Sequence, residues 1–134
     1  MEEMEVVGAI LAKDGKYLLG QRPEGKSNAG QWEFVGGKVE RGETLEEALV
    51  RECREELAVE IRNVRVRAAV VHEYPGRTVR LTLLDCECAP ASEPVALEHR
   101  RIGWFSAEEM IALPLSAADA ELVPLVVSPS GATP

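Results

Sequence analysis

Apolar residues follow two different periods along the chain, and each period predicts one kind of secondary structure. Apolar-rich, partly alternating segments predict β-strands at residues 5–13, 17–21, 61–71, 78–88 and 102–105. The segments "KDGK" and "YPGR" are turn signals that join neighbouring strands into hairpins. A further short strand is expected in "WEFVGG", where it ends in a glycine turn.

Helices are predicted where a capping residue precedes a helical repeat of apolar positions. Thr44, with acidic residues in the turn that follows, predicts a helix to about Leu57. The segment "SAEEMIAL" opens with a capping box. Residues 117–127 are weakly helical, and Pro124 is an obstacle to a long helix there. Strands separated by helices, with hairpins among them, predict a layered α/β fold with a mixed sheet.

Composition limits the architecture and the location. The 134 residues, 46% of them hydrophobic, fit one domain over residues 1–127, and we expect a disordered tail at 128–134. There is no apolar run near the roughly 18 residues that suggest a membrane span. The acidic start lacks the basic segment of a signal peptide. We therefore expect a cytoplasmic protein without a membrane partner.

Charge and cysteine content narrow the chemistry. A formal net charge of −8 argues against direct binding of nucleic acid. It leaves room for a small phosphorylated ligand, because a bound cation can reverse the local sign. The three cysteines, Cys53, Cys86 and Cys88, fit neither a disulfide framework nor a paired zinc site.

Three glutamates near the end of the first predicted helix stand in an unfavourable place. At about 100° per residue, Glu52 and Glu56 fall within the apolar stripe of that helix and Glu55 falls at its edge. The rest of the stripe is made up of Leu45, Ala48, Leu49 and Cys53. A glutamate-rich helix is more often a solvated face, but these acids lie in line with the side expected to be buried.

These carboxylates repel each other, and a nearby positive charge is needed to compensate. Like-charged pairs at helical spacing cost roughly 0.2–0.5 kcal/mol each even when exposed, and the helix C-terminus adds a penalty of similar size. One bound divalent cation would remove both of these energetic penalties. Oxygen ligands without nearby His or Cys favour Mg²⁺ or Mn²⁺ over zinc.

The run "GGKVERGETLEEALVRECREELAV" resembles the Nudix box. The residues that fill its fixed positions are Gly37, Glu43, Arg51, Glu52, Cys53, Glu55, Glu56 and Val59. Ala58 departs from it, because the family usually has Gly at this helix end. The flanks "LLGQRP", "GQWEFVGGKVE", "EYPGRTVRL" and "PLSAADAEL" are similar to the MutT-like branch, especially its oxidised-nucleotide and CTP pyrophosphohydrolases.

This resemblance implies a fold and a reaction. The fold is the Nudix α/β/α sandwich, in which the box forms loop–helix–loop beside a mixed sheet. The reaction is hydrolysis of a nucleoside triphosphate to the monophosphate and pyrophosphate, with Mg²⁺ as cofactor and Mn²⁺ as substitute. The positions that match the family's metal ligands are Gly36, through its carbonyl, Glu52, Glu55, Glu56 and Glu98.

The resemblance also implies roles for residues around these ligands. Glu43 and Arg51 match the pair that orients them. Glu98, in a distant loop, would bind a second metal or help to activate water. His72 and His99 have no metal-like spacing, and we interpret both as structural or surface residues.

Five further side chains are candidates for substrate contacts, and each has a plainer alternative. Arg22 and Lys38 would contact phosphate or are ordinary solvated charges. Phe34 matches a position that lines the base pocket, or it is a core aromatic. Arg77 follows the "YPG" turn and would reach the base, or has no role. Asp119 is either a helix N-cap or an ionised carboxylate that accepts hydrogen bonds from the nucleobase.

Three functions stay open. The first is removal of damaged or surplus nucleoside triphosphates such as 8-oxo-dGTP, CTP or dCTP, a nucleotide-pool role linked to DNA repair. The second keeps the chemistry but acts on ADP-ribose, a nucleotide sugar or a dinucleoside polyphosphate. The third is a noncatalytic nucleotide-binding domain, which typically lacks box acids that are present here. The oligomeric state, monomer or homodimer, is open as well.

Overall fold

The computed structural model describes residues 2–127, apart from the side chain of Glu2. The elements in chain order are β1 (Glu2–Lys13), β2 (Lys16–Gln21), β3 (Trp32–Glu33), β4 (Gly36–Lys38), α1 (Leu45–Leu57), β5 (Ile61–Tyr74), β6 (Arg77–Cys88), β7 (Arg101–Phe105), α2 (Ala107–Ala112) and α3 (Ala117–Val127). The predicted tail lies outside the described residues. No helix within residues 2–127 has the length and apolarity needed to cross a membrane.

Strand β1 holds the sheet together. The strand order is β3-β2-β1-β6-β5, with β4 paired to β1 and β7 paired to β2. β1 runs parallel to β6 from the pair Glu2–Arg77 to the pair Leu11–Cys86. Its contacts with β2 and β4 are antiparallel. The sheet is therefore mixed, as the sequence predicts.

Helices cover the sheet on both faces, because alternate residues of the central strands point to opposite sides. One cluster of buried residues joins Val7, Ala9 and Leu11 of β1 to the apolar face of α1. A second cluster joins Ile10 of β1 to Met110 of α2 and to the buried residues of α3. This is the α/β/α sandwich implied by the family resemblance.

Helix α1 is defined by local signals at both ends. The Thr44 side chain accepts a hydrogen bond from the Glu47 amide, and the Glu47 carboxylate accepts one from the Thr44 amide. At the other end, Ala58 adopts φ 58° and ψ 37°. Its N–H donates to the Arg54 carbonyl at 3.2 Å. Ala58 thus takes the left-handed conformation that glycine adopts more easily.

Some predicted strand boundaries differ from those in the structure, and one helix with the predicted bounds contains a proline. The "WEFVGG" strand is divided into β3 and β4, because Trp32 and Glu33 pair with β2 while residues 36–38 pair with β1. β1 begins earlier than predicted, since Glu2–Met4 also pair with β6. Helix α3 continues past the exposed Pro124, because Val126, one turn beyond Leu122, is buried in the core.

Candidate active site

A cleft of about 570 Å³ is bounded by β1, β4, α1 and the beginning of α3. The sequence-predicted residues that line it are Arg22, Phe34, Gly36, Lys38, Arg51, Glu52, Glu55, Glu56, Arg77 and Asp119. Two predicted residues, Glu43 and Glu98, lie outside this lining. The fold therefore brings together residues that are spread over about 100 positions of the sequence.

Arg51 organises the acidic side chains of α1. Its Nε and Nη2 atoms donate to the two Glu43 carboxylate oxygens at 2.7 and 2.9 Å, a bidentate pair. Its Nη1 donates to Glu52 at 2.9 Å and to Glu55 at 3.3 Å. The Arg51 guanidinium, with help from the Glu40 amide, lowers the pKa of Glu43 to about 2. Glu43 therefore stays ionised and anchors the arginine that holds Glu52.

Glu52 is buried in the apolar face of α1, as its place in the stripe predicts. It is only 8% exposed. Gly37 of β4 provides the necessary space, because a Cβ atom at this position would lie 2.5 Å from the Glu52 carboxyl group. This glycine is required by close approach rather than by backbone conformation.

Glu56 is an acid in an unfavourable environment. Burial first, and then the neighbouring Glu52, Glu33 and Glu98 carboxylates, together raise its pKa to about 9. Its Oε1 atom is buried and has no hydrogen-bond partner among the described residues. Glu55, by contrast, is largely exposed. The predicted conflict among like charges is thus concentrated on Glu56.

The expected set of metal ligands is not assembled as one group. Within residues 2–127, no three His, Cys, Asp or Glu side chains converge closely enough to hold a metal ion. Glu52 and Glu56 face each other, Glu55 points towards Arg51 and solvent, and Glu98 is exposed on a separate loop. Glu98 is nevertheless close enough for its charge to contribute to the raised pKa of Glu56.

The loop that carries Glu98 also places His99 beside the cleft, a position that the sequence does not reveal. His99 is buried, and its Nε2 lies 3.0 Å from a Glu33 carboxylate oxygen. His99 is therefore a buried residue that lies beside the acids of the cleft. Glu33 of β3 lines the cleft and was also missed. Glu33 stands between the buried residues Trp32 and Phe34, so it faces the opposite side. This alternation is the sequence signal that could have indicated it.

The other end of the cleft has an aromatic and a buried acid. Phe34 is 3% exposed, so it is a core aromatic, and it also lines the cleft. Its backbone N–H donates to Asp119 Oδ1 at 3.0 Å. Asp119 is the third residue of α3 and not its N-cap. Burial, together with the charge of Glu33, raises its pKa to about 8. The raised pKa favours the protonated carboxyl, whereas the sequence predicts an ionised acceptor.

The remaining candidates differ in how they are held. Arg22 donates through Nε to the Ser27 carbonyl at 2.6 Å and pairs with Glu33 at 3.2 Å. The Arg77 guanidinium lies 5.4 Å from the centre of the Tyr74 ring, and both residues line the cleft. Lys38 is exposed at the end of β4.

His72, expected to be a structural or surface residue, lies outside the lining of the cleft. It contacts Glu121 of α3 and the ring of Tyr74.

The fold is layered, and its capped helix α1 carries paired acids that face a cleft lined by an aromatic residue. Together these features define a hydrolase-like site for a phosphorylated ligand. The sequence model of the NUDIX domain matches residues 2–126. The chain therefore belongs to the Nudix family, whose hydrolases generally need divalent metal ions.

Individual relatives agree with this assignment. A CTP pyrophosphohydrolase of Escherichia coli (strain K12) is 40% identical over 134 residues, covering 100% of this chain and 98% of that protein. An 8-oxo-dGTP diphosphatase of Proteus vulgaris is 37% identical over 75 residues, 56% of this chain and 67% of that protein. The solution structure of the E. coli ORF135 protein matches with a TM-score of 0.84 and 41% identity, covering 100% of this chain and 95% of that one.

Proposed function

We propose that this protein is a metal-dependent nucleoside triphosphate pyrophosphohydrolase that releases a nucleoside monophosphate and pyrophosphate. The substrate class is CTP or dCTP, or an oxidised nucleotide such as 8-oxo-dGTP, and the role is sanitation of the nucleotide pool. The names of the E. coli and P. vulgaris relatives support this choice. The observation that carries it is the pair of carboxyl groups, Glu52 and Glu56, on the wall of the cleft.

The donor set fits a hard divalent cation, Mg²⁺ with Mn²⁺ as substitute. Glu56 Oε1 is buried without a hydrogen-bond partner in the described part of the chain, and a second carboxyl group lies beside it. Mg²⁺ usually keeps several waters and takes one or two protein carboxylates together with substrate phosphates. Three preassembled side chains are therefore not required. Glu52, Glu56 and the Gly36 carbonyl would hold the ion, with Glu55 and Glu98 assisting.

The protein's own residues then have separate tasks. Glu43 holds Arg51, and Arg51 holds Glu52 in one orientation. Glu98, on the exposed loop beside Glu56, would take a proton from the attacking water. When bound, the cation would neutralise phosphate charge and acidify that water. Lys38, exposed on the cleft wall, would contact phosphate, and Arg22 would do so only by exchanging its bond to Glu33.

The base would occupy the opposite end of the cleft. Phe34 offers an aromatic surface, and Tyr74 with Arg77 forms a second wall. The protonated Asp119 carboxyl can both donate and accept a hydrogen bond. Such a group can pair with a base edge that presents one donor and one acceptor, which supports selectivity for the base.

A substrate panel tests the proposal. Purified protein would be incubated with CTP, dCTP, 8-oxo-dGTP, dGTP, ADP-ribose, a nucleotide sugar and a dinucleoside polyphosphate, each with Mg²⁺ and with EDTA. We expect pyrophosphate and a monophosphate from a triphosphate, and no turnover in EDTA. Preferential cleavage of ADP-ribose or of a nucleotide sugar would refute the substrate class. Tight nucleotide binding without any turnover would refute the enzyme assignment.

Three other properties stay predictions of the sequence. They are a single domain over residues 1–127, a cytoplasmic location, and a monomeric or homodimeric state without a nucleic-acid partner. Size-exclusion chromatography coupled to light scattering would decide between the two oligomeric states.

A further inference from the structure

His99 is held in one position by the residues around it. Its side chain is 3% exposed, and its Nε2 lies 3.0 Å from Glu33 Oε2. This contact holds the ring from its Nε2 side. On one side the ring packs against Gly20 of β2, where a Cβ atom would lie 2.5 Å from it.

The backbone around His99 is tied to the same helix that carries the acids. Residues 95–100 form a strap between the end of α1 and β2. The Val95 amide donates to the Leu57 carbonyl at 2.9 Å, and the Leu97 amide donates to the Glu56 carbonyl at 3.1 Å. At the far end, the Arg100 amide donates to the Gln21 carbonyl at 2.9 Å. The position of His99 relative to Glu56 is therefore set by hydrogen bonds on both sides.

The second ring nitrogen faces Glu56. His99 Nδ1 lies 3.9 Å from Glu56 Oε1, about 1 Å longer than an ordinary hydrogen bond. Within residues 2–127, both atoms are buried and neither has a hydrogen-bond partner. Two buried polar atoms that face each other without other partners are costly unless they serve one another.

We propose that His99 is a positioning residue that sets the orientation of the Glu56 carboxylate, with Glu33 fixing the ring from the other side. The inference rests on the proposed function, in which Glu56 is a metal ligand. An imidazole nitrogen can meet a carboxyl group as donor or as acceptor. The contact therefore does not depend on which of the two groups carries a proton. Through these contacts, β3, the strap and α1 together determine the position of one oxygen atom, Glu56 Oε1.

Two substitutions separate this role from simple packing. Asparagine places its amide near the position of Nδ1, which faces Glu56, while glutamine places its amide near Nε2, which faces Glu33. We expect His99→Gln to weaken Mn²⁺ binding to the protein alone by about tenfold or more. It should lower kcat by a similar factor, with KM for the nucleotide changed less than about threefold. His99→Asn should stay within about threefold of wild type in all three quantities.

The measurements are electron paramagnetic resonance of free Mn²⁺, steady-state kinetics and thermal melting. Equal losses in both variants that follow their losses in melting temperature would mean that His99 only packs, and would overturn the proposal. Wild-type Mn²⁺ affinity in His99→Gln would overturn it as well. If wild-type protein itself fails to bind Mn²⁺, the proposed function fails first.

A measurement on the unmodified protein covers the case in which the variants do not fold. The sequence has two histidines, so the ring ¹⁵N signals of His72 and His99 are readily assigned. We expect Mg²⁺ titration to shift His99 Nδ1 in a saturable way, more than Nε2. His72, which contacts Glu121, is the internal control. An unchanged Nδ1 signal at saturating Mg²⁺ would overturn the proposal.

Discussion

Ala58 shows how one residue can reduce stability where the backbone requires a left-handed conformation. Its φ is 58° at the end of α1, a conformation that costs a residue with a Cβ about 1–2 kcal/mol. Glycine removes this strain but loses about 0.4–1 kcal/mol through the flexibility of the unfolded chain. Ala58→Gly should therefore raise the free energy of unfolding by about 0.5–1 kcal/mol, as measured by urea denaturation.

The control for this substitution is Ala120→Gly, at an exposed position within α3. The backbone there is ordinary helix, so glycine should lower the free energy of unfolding by about 1 kcal/mol. A loss of stability in both variants would mean that the backbone at Ala58 is not strained.

Asp119 should make stability depend on pH. Its pKa rises from 3.8 to about 8 in the folded chain, mainly through burial. The stabilisation is therefore complete below about pH 4 and is lost as the pH rises through about 8. Between pH 5 and pH 8, the free energy of unfolding of the wild type should fall by at least about 1 kcal/mol more than that of Asp119→Asn.

Urea denaturation at the two pH values measures this difference. Glu108→Gln, which removes an exposed acid of α2, should keep the wild-type dependence on pH. Equal slopes for wild type and Asp119→Asn would show that Asp119 is ionised in the folded protein.

The sequence reveals the site residues to different degrees. The burial of Glu52 can be predicted because helical period alone places it among Leu49 and Cys53. The raised pKa of Asp119 cannot, because its burial depends on Phe34, 85 positions away.

At the scale of elements, α1 combines a stabilising apolar face with acids that repel each other. Glu56→Gln replaces an acid whose charged form is disfavoured by burial and by neighbouring carboxylates with a neutral amide of similar shape. Without metal, the variant should melt at the same temperature as wild type or higher. Turnover should fall at least about a hundredfold, because a ligand is lost.

Glu46→Gln is the matched control, since Glu46 is exposed on the first turn of α1. It should leave turnover near that of wild type. A large fall in the metal-free melting temperature of Glu56→Gln would mean that Glu56 is structural and that the acids of α1 do not repel each other as argued.

Elements are predictable where their signals are local. The Thr44–Glu47 capping box and the apolar period define α1 within about 14 residues, and the helix is found where expected. The division between β3 and β4 depends on pairing with two different strands, which no local pattern shows. Helix α3 crosses Pro124 because of its buried face, a tertiary effect that overrides propensity.

At the scale of the whole molecule, the contacts that complete the site join distant parts of the chain. Family resemblance is sufficient to predict the sandwich, because the box and its flanks span most of the sequence. The contact between His99 and Glu33 joins positions 66 residues apart, and the strap that enables it has no regular secondary structure. Periodicity cannot reveal such a contact. From the sequence alone, His99 is therefore predicted only to be a structural or surface residue.

Binding of a divalent cation at the proposed site should also stabilise the whole molecule. A ligand that binds only the folded state stabilises it by about 2.7 kcal/mol at a hundred times its Kd. Mg²⁺ should therefore raise the melting temperature in a saturable way, and EDTA should reverse the rise. In Glu56→Gln the rise should shrink. Because the net charge is −8, NaCl at equal ionic strength is the necessary control for screening. A rise of the same size with NaCl would show that Mg²⁺ only screens charge and does not occupy the carboxylate site.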